Sequence, residues 1–343
     1  MTGPVLHDVR LRFRDGVEHS IRVAAGQTVL DAALEQDTPL LFQCRSGSCS
    51  SCIADLTDGP AEMRKGGASV LLKSEAEAGK RLLCQTHVAG NCGFALDYDS
   101  TAGSNAPMKV SAFVDSVERI ADDAVRLKLE LASGDWFDFL PGQFIQVCVP
   151  GTDIWRSYSI ASTPAELPSV ELLIRLLPGG AMSEWLVSKA RPDDVVAIEA
   201  PFGNFFLREK VRAPHIMIAG GTGLAPMMAM IDTIRAQSGK KPPILLSFGC
   251  ATETGLFNRD QLDLRSLWMP GLDVRISVDR GPAGDGVRIG NPVQAITAAD
   301  IRDPDTVAYL CGPPGLIAAA RTHLAAIGVA PENIHAEQFV ASC

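Results

Sequence analysis

Four cysteines in the first third of the chain have a spacing that suits a redox-active metal centre. Cys44, Cys49 and Cys52 follow the pattern C-x4-C-x2-C, and Cys84 comes after a further 31 residues. This order of thiolates is typical of a plant-type [2Fe-2S] site. The loop between the first three is rich in glycine and serine, so backbone N–H groups can turn towards the negative sulfurs of a cluster. The spacing therefore predicts that these four cysteines are metal ligands.

Two other sites use similar cysteine patterns. A zinc knuckle usually pairs two C-x2-C hairpins, and a thioredoxin-like C-x-x-C would use Cys49 and Cys52 alone. The chain has one such pair and no helix start at Cys49, which favours the [2Fe-2S] interpretation. The six histidines form no ligand pair at helical spacing and no Rieske pattern. Four thiols without comparable spacing are predicted to be buried or incidental: Cys92, Cys148, Cys250 and Cys343.

The elements that position the cysteine loop can be predicted from apolar alternation and turn residues. Residues 7–23 alternate as two strands joined across Asp15-Gly16, a common hairpin turn pair. Thr28 is a suitable N-cap for a helix that ends directly before the loop. Residues 99–107 are small, polar and without apolar periodicity, as in a linker.

Two different patterns follow the linker. From residue 108 to about 210, short apolar strands are separated by Gly, Pro and Asp turns, which indicates a small antiparallel barrel. From about 211 onwards, apolar strands alternate with helices, which indicates a doubly wound parallel sheet.

Composition narrows the class of function. The 343 residues carry a net charge of -9, which opposes binding to nucleic acid or to an anionic membrane. No run of about 18 apolar residues occurs, and the first residues lack the order of a secretory signal. Nine cysteines without an export signal fit a reducing compartment, so we expect a cytoplasmic protein.

Four short motifs lie on the predicted barrel and parallel sheet. RSYS, residues 156–159, lies on a barrel strand, and the glycines of RLLPGGAMSEWL, residues 175–186, come before a helix. AGGTGLAP, residues 219–226, follows a strand and opens a helix, with Pro226 where G-x-G-x-x-G has its third glycine. CGPP, residues 311–314, follows another strand. Glycine turns before helices offer backbone N–H groups to phosphate, so these motifs indicate nucleotide binding.

Together the cysteines and motifs resemble the reductase components of bacterial ring-hydroxylating dioxygenases and soluble di-iron monooxygenases. The resemblance covers nearly the whole chain, and the motifs occur in the expected order. It implies a multidomain α+β and α/β fold in four parts. These are a plant-type ferredoxin domain with a β-grasp fold at 1–99, a linker at 100–107, a six-stranded antiparallel FAD-binding β-barrel at 108–210, and an NAD-binding doubly wound α/β domain at 211–343.

The resemblance also implies roles for the barrel residues. Arg156 would pair with the flavin pyrophosphate, Tyr158 would pack on the isoalloxazine, and Ser159 would bond near its reactive nitrogen, as suits a guanidinium and an aromatic face. Cofactor-binding residues on the barrel would then be Arg156, Ser157, Tyr158, Ser159, Arg175, Gly180, Ala181, Met182 and Ser183.

In the last domain the resemblance places the nicotinamide cofactor at the glycine turn. Gly221 and Gly223 would let the cofactor approach, and Thr222 would lie close to the flavin. Cys311 and Gly312 would lie beside the nicotinamide, and Phe339 against the flavin. The catalytic residues would be Cys311, Ser159 and Glu337.

These parts predict a route for electrons. Nicotinamide gives two electrons as a hydride and a [2Fe-2S] cluster accepts one, so a flavin must act between them. FAD is favoured over FMN by the resemblance to cluster-first members. The segment after the second strand contains Glu253 and no cation, and Ala251 stands where some NADPH-using relatives carry Arg, which favours NADH over NADPH.

The predicted function is an NADH-dependent reductase that serves an oxygenase or an intermediary ferredoxin in aromatic hydrocarbon catabolism. Two alternatives stay open at this stage. The same chemistry could serve a deoxysugar dehydratase, or the protein could be a redox sensor that binds partners without turnover.

Overall fold

The structure is a computed structural model that describes residues 5–47, 49–64, 66, 70–71, 73–103, 107–132, 134, 136–208 and 212–339. The chain folds into two compact units. The first comprises residues 1–106 with 202–204, and the second comprises residues 107–201 with 205–343. In the described residues, no helix has both the length and the apolar character needed to cross a membrane.

The first unit contains a five-stranded sheet of order β2-β1-β7-β3-β5 and a two-stranded sheet of β4 and β6. Its elements are β1 (Leu6–Arg12), β2 (Glu18–Ala24), α1 (Val29–Glu35), β3 (Ile53–Asp58), β4 (Ala61–Met63), α2 (Lys73–Glu77), β5 (Lys80–Leu82), β6 (Thr86–Val88) and β7 (Cys92–Ala95).

The start of this unit agrees with the sequence patterns. β1 and β2 form an antiparallel hairpin, and Gly16 in its turn has a φ of 84°, which glycine adopts without strain. The hydroxyl of Thr28 accepts a hydrogen bond from Asp31 N at 3.1 Å and caps α1. β1 also pairs with β7 in parallel, so α1 lies against a mixed sheet. The predicted β-grasp fold is confirmed.

The second unit begins with a six-stranded antiparallel barrel of order β11-β10-β13-β8-β9-β12. A bridge between Ile160 and Leu172 joins its two edges and closes the cylinder around an apolar core. The barrel and its helix comprise β8 (Met108–Ala121), β9 (Ala124–Leu131), β10 (Phe144–Cys148), β11 (Trp155–Ser159), β12 (Ser169–Arg175), α3 (Ala181–Ser188) and β13 (Val195–Phe202).

The same unit continues as a six-stranded parallel sheet of order β17-β16-β15-β14-β18-β19. The strand order reverses between β14 and β18, and open α/β sheets bind ligands at the carboxyl ends of the strands beside such a point. The elements are β14 (His215–Gly220), α4 (Leu224–Ala236), β15 (Ile244–Cys250), α5 (Arg259–Trp268), β16 (Leu272–Val278), β17 (Val287–Ile289), β18 (Val307–Gly312), α6 (Pro314–Ala326) and β19 (Ile334–Gln338).

The structure differs from the sequence patterns in two details. α4 begins at Leu224, two residues before the proline at which the pattern started it, because Pro is tolerated in a first helical turn. The predicted linker begins with a 3-10 turn at Ser100–Gly103. The barrel and the parallel sheet lie in one compact unit, and the boundary predicted at 210/211 stays a prediction.

Candidate functional site

The four predicted ligand cysteines come together as two pairs. The thiol of Cys49 donates a hydrogen bond to Cys44, which together with burial raises the pKa of Cys49 far above its ordinary value. The thiol of Cys52 donates to Cys84, which raises the pKa of Cys52 and lowers that of Cys84. None of the four is joined in a disulfide.

The loop around Cys44 turns backbone donors towards sulfur. The N–H groups of Ser46 and Cys49 lie 3.4 Å and 3.3 Å from Cys44 Sγ. Arg45 has a φ of 53°, in the left-handed region, which lets the chain reverse directly after the first cysteine. Such N–H groups would compensate the negative charge of a thiolate bound to iron.

The pairing fits a two-iron cluster better than a single ion. Among the residues that the structure describes, no three His, Cys, Asp or Glu side chains are grouped so that they could hold one metal ion. A [2Fe-2S] cluster instead takes two thiolates at each iron. The pairs Cys44 with Cys49 and Cys52 with Cys84 provide that donor set.

The RSYS motif forms most of β11, where side chains alternate between the two faces of the barrel wall. Tyr158 is half-buried against the barrel core, and this burial raises its pKa above the ordinary value for tyrosine. Arg156 is partly exposed and donates from Nη1 to the carbonyl oxygen of Trp155 at 3.0 Å. Ser157 is exposed and Ser159 is buried. A cation, an aromatic ring and a hydroxyl therefore follow one another along a single strand.

The glycine turn before α3 is held in place by a serine. Gly180 is the N-cap of the helix, and Leu177 N donates to Ser183 Oγ at 2.8 Å across the turn. A Cβ at Gly180 would lie 3.2 Å from both Leu177 O and Ser183 Oγ, so the turn is close-packed. Ala181 begins the helix, and the side chain of Met182 is buried in the barrel core. Because its side chain is buried, Met182 could contact a phosphate only through its backbone amide.

Three residues from different parts of the second unit form the predicted catalytic group. Ser159 Oγ donates to Glu337 Oε2 at 3.0 Å, although 178 residues separate them. Cys311 and Glu337 are register partners on β18 and β19. Burial raises the pKa of Glu337 to about 8, so that its carboxyl group holds a proton at neutral pH. Burial, and then the charge of Glu337, raises the pKa of the Cys311 thiol well above its ordinary value.

The AGGTG turn lies directly against the end of β18. A Cβ at Gly223 would lie 2.2 Å from Cys311 O, so a residue without a side chain is required there. Gly221 has a φ of 56°, and a Cβ on it would meet nothing within 4 Å. Thr222 lies between them in a 3-10 turn at the N-terminus of α4. The turn therefore combines close packing on one side with open space on the other.

Two other predicted residues lie at the rim of this region. Phe339 is half-buried against the core of the second unit, and its N–H donates to Gly312 O at 2.9 Å. The four residues after it lie outside the described residues. Glu253 follows β15, and its Oε1 accepts from Gly284 N at 3.0 Å, which fixes the carboxylate in the loop.

Comparison with known proteins connects these sites. The chain matches the models of a 2Fe-2S iron-sulfur cluster binding domain at 13–89, an oxidoreductase FAD-binding domain at 111–207 and an oxidoreductase NAD-binding domain at 217–322. It is 33% identical over 337 residues to the toluate 1,2-dioxygenase electron transfer component of Pseudomonas putida, covering 98% of this chain and 99% of that protein. The chain belongs to the family of oxygenase electron-transfer reductases.

Other relatives of the reductase extend beyond the dioxygenases. The reductase component of propane 2-monooxygenase from Mycolicibacterium smegmatis is 30% identical over 335 residues, covering 95% of each chain. Among solved structures, a cytochrome P450 reductase of Amycolatopsis superposes with a TM-score of 0.72 at 27% identity, covering 97% of this chain and 99% of that one. The reductase uses a [2Fe-2S] cluster, FAD and NADH.

We call the AGGTG turn, the end of β18 and the residues around them the nucleotide region. Sequence patterns did not single out several of its residues. Asp123 pairs with Arg175 at 3.1 Å, so Arg175 is held by a carboxylate of the barrel. The sequence predicts Cys250 to be a buried or incidental thiol. Burial, followed by the charge of Asp123, raises its pKa to about 12. Its place at the carboxyl end of β15 was the available signal.

A buried arginine connects the barrel to the parallel sheet. Arg126 on β9 is only 9% exposed and donates from Nη2 to Asn258 Oδ1 at 2.5 Å. Asn258 is the N-cap of α5 and has a left-handed φ of 56°. Glu118 and Glu171 bind the same guanidinium, which compensates its charge. Arg126 thereby fixes the end of the loop that contains Glu253.

Proposed function

We propose that the reductase oxidises NADH at the Ser159–Glu337–Cys311 group and delivers single electrons to an oxygenase component or an intermediary ferredoxin. The proposal is supported above all by the 3.0 Å hydrogen bond between Ser159 and Glu337 beside Cys311. A bound flavin exchanges a hydride with nicotinamide and single electrons with a [2Fe-2S] cluster. The barrel motif, the glycine turn and the thiol pairs supply one site for each group.

Ser159 and Glu337 would handle the proton that accompanies hydride transfer. Glu337, with a pKa of about 8, holds a proton at neutral pH, and Ser159 Oγ is within hydrogen-bonding distance of it. A proton donor works best when its pKa lies near the working pH. Cys311 would pack against the nicotinamide as a neutral thiol, because its raised pKa prevents ionisation there.

The remaining residues would bind and orient the cofactors. Arg156 is a partly exposed guanidinium that suits a pyrophosphate, and Tyr158 presents an aromatic face beside it. The open side of Gly221 would admit the dinucleotide at the start of α4. The carboxylate of Glu253 would accept hydrogen bonds from the ribose hydroxyls of NADH and repel the extra phosphate of NADPH.

The cysteines, which are not joined in disulfides, and the use of NADH support a cytoplasmic location, which we propose on that basis. The dioxygenase and monooxygenase relatives support an oxygenase as the acceptor system.

Separate readouts for the flavin and for the cluster test the proposal. In Cys49→Ser we expect loss of the cluster's visible absorption and of NADH-driven cytochrome c reduction, while direct reduction of dichlorophenolindophenol from the flavin persists. Cys92→Ser is the matched control, because Cys92 is a buried thiol of the same unit outside the ligand spacing. Loss of dye reduction in Cys49→Ser alone would contradict separate flavin and cluster sites.

The purified protein also distinguishes turnover from sensing. NADH should bleach the flavin absorption within the dead time of manual mixing. A protein that binds FAD and iron but shows no bleaching with NADH would be a sensor and not a reductase. A pull-down under reducing conditions, with the acceptor identified by mass spectrometry, distinguishes an oxygenase partner from a sugar-nucleotide dehydratase.

A further inference from the structure

The two segments that adjoin the ligand cysteines are basic in an acidic chain. Residues 38–54 and 63–73 contain four cations and no Asp or Glu, whereas the whole chain has a net charge of -9. The cations are Arg45, Arg64, Lys65 and Lys73, of which Lys65 lies outside the described residues.

Hydrogen bonds place these segments beside the cysteines. Val70 N donates to Gly47 O at 3.1 Å, which brings the second segment against the cysteine loop. Arg64 N donates to Gln85 O at 2.8 Å, next to Cys84. Arg45 directly follows Cys44 in the chain. One arginine therefore adjoins each end of the ligand set.

The guanidinium groups of these two arginines face solvent. Arg45 and Arg64 are both exposed, and the Arg45 guanidinium lies over the Phe42 ring at 5.2 Å, which orients it. Within the described part of the chain, neither has a carboxylate at ion-pair distance. Lys73 is 91% exposed and has only a loose contact of 3.7 Å with Glu77, a kind of pair that contributes little.

Four other cations of the same unit have partners for their side chains. The side chains of Arg10, Arg14 and Lys80 pair with carboxylates at 3.0, 2.9 and 3.3 Å. Arg81 uses its guanidinium to bind the carbonyl oxygens of Ala76 and Lys80. Arg12 and Arg22, on the β1–β2 hairpin, are also exposed. Arg45 and Arg64 are the exposed arginines that adjoin the cysteines.

Three apolar residues of the same two segments are partly exposed. Phe42, Val70 and Leu71 are half-buried, so each leaves some apolar area in contact with water. Protein interfaces commonly have such a centre surrounded by a polar rim.

We propose that Arg45, Arg64 and Lys73, the cationic rim, dock an electron-accepting protein that presents an acidic surface. This inference rests on the proposed function, since it requires that electrons leave through the cysteine loop. The rim would orient the encounter, because an acidic partner is repelled by the chain as a whole and attracted by these three cations beside the cysteines.

Probe proteins of opposite charge test the proposal with the holoenzyme. The rate of reduction is measured for acidic cytochrome b5 and for basic cytochrome c at increasing salt concentrations. Oxidation of one NADH to NAD⁺ and a proton supplies the electrons for two ferric haems. We expect the rate with cytochrome b5 to fall more steeply with rising salt than the rate with cytochrome c, because only the acidic probe is attracted by the rim. The Kd for cytochrome b5, measured without NADH, should weaken over the same range.

Charge-neutralised variants assign the effect to the rim. In the double variant Arg45→Gln/Arg64→Gln we expect kcat/KM for cytochrome b5 to fall by about tenfold at low salt and its salt dependence to flatten. Arg22→Gln, an exposed arginine on β2, is the matched control and should behave as the wild type. The Kd must weaken in parallel, which a change confined to the cluster would not produce.

Three outcomes would overturn the proposal. The first is a double variant with unchanged Kd and salt dependence. The second is salt-sensitive self-association in sedimentation that the double variant loses, which would assign the rim to a second copy of the chain. The third is binding to anionic vesicles that the double variant loses, which would assign the rim to a lipid surface. Anaerobic reduction of the cluster by NADH is checked in every variant. Its failure in the wild type refutes the proposed function, whereas its success with an unchanged Kd refutes only the docking surface.

Discussion

Replacing Gly223 by alanine should separate the AGGTG turn from Cys311 and slow the reduction of the flavin by NADH. An added Cβ would lie 2.2 Å from Cys311 O and 2.7 Å from its carbonyl carbon, whereas ordinary contact begins at 3.4 Å. Both groups are backbone, so no side chain can rotate away. The start of α4 and the end of β18 must therefore move apart by about 1 Å.

Two effects of that displacement can be calculated. Overpacking in a close-packed region costs about 1–3 kcal/mol, which lowers the Tm of the second unit by several degrees. A displacement of about 1 Å between reacting groups can cost about 100-fold in rate. We expect flavin bleaching by NADH to slow by roughly that factor, with the barrel-bound flavin retained, because the RSYS strand is not displaced.

Stopped-flow flavin bleaching, flavin content and thermal unfolding measure these effects. Gly271→Ala is the matched control, since a Cβ there would have its closest contact at 3.5 Å, to Pro242 O. It should match the wild type in all three measurements. A Gly223→Ala protein with the wild-type Tm and bleaching rate would refute the close approach of the turn to Cys311.

Three further changes have defined outcomes. Ser159→Ala removes the hydrogen bond that lowers the pKa of Glu337, so the alkaline limb of the pH profile of flavin reduction should move above its position near pH 8. A limb that does not move would exclude Glu337 as the titrating group. Arg126→Met removes the 2.5 Å hydrogen bond to Asn258 and should raise the KM for NADH by about tenfold with little change in kcat. Lys128→Met is the control, because it loses only the 3.9 Å pair with Glu171 and should leave the KM unchanged. Glu253→Gln keeps an acceptor for Gly284 N but loses the charge, so the ratio of kcat/KM for NADPH to that for NADH should rise by about tenfold, and a constant ratio would contradict the specificity argument.

The features that sequence predicted well are those encoded within a few residues. The cap at Thr28, the hairpin turn at Gly16 and the cysteine loop each depend on neighbours in the chain, and the structure has all three. The barrel and the parallel sheet were predictable because their apolar periods differ.

The contacts that assemble the nucleotide region were beyond such patterns. Ser159 and Glu337 are 178 residues apart, and only the family resemblance brought them together before the structure did. Arg126 lies on a strand, where an isolated arginine suggests an exposed face, yet it is buried against Asn258 at a separation of 132 residues. Strand order decides both contacts, and local sequence does not contain it.

The protonation of two thiols, Cys250 and Cys311, affects how well the reductase resists oxidation in the presence of oxygen. Peroxide attacks the thiolate form of cysteine, and a pKa of about 12 at Cys250 leaves roughly one thiol in 100,000 ionised at neutral pH. Burial also raises the pKa of Cys311 well above its ordinary value, so its thiol stays protonated at neutral pH. A flavoprotein that leaks electrons to dioxygen generates peroxide at its own centre. Keeping both sulfurs protonated shields them from oxidation to sulfenic acid during turnover.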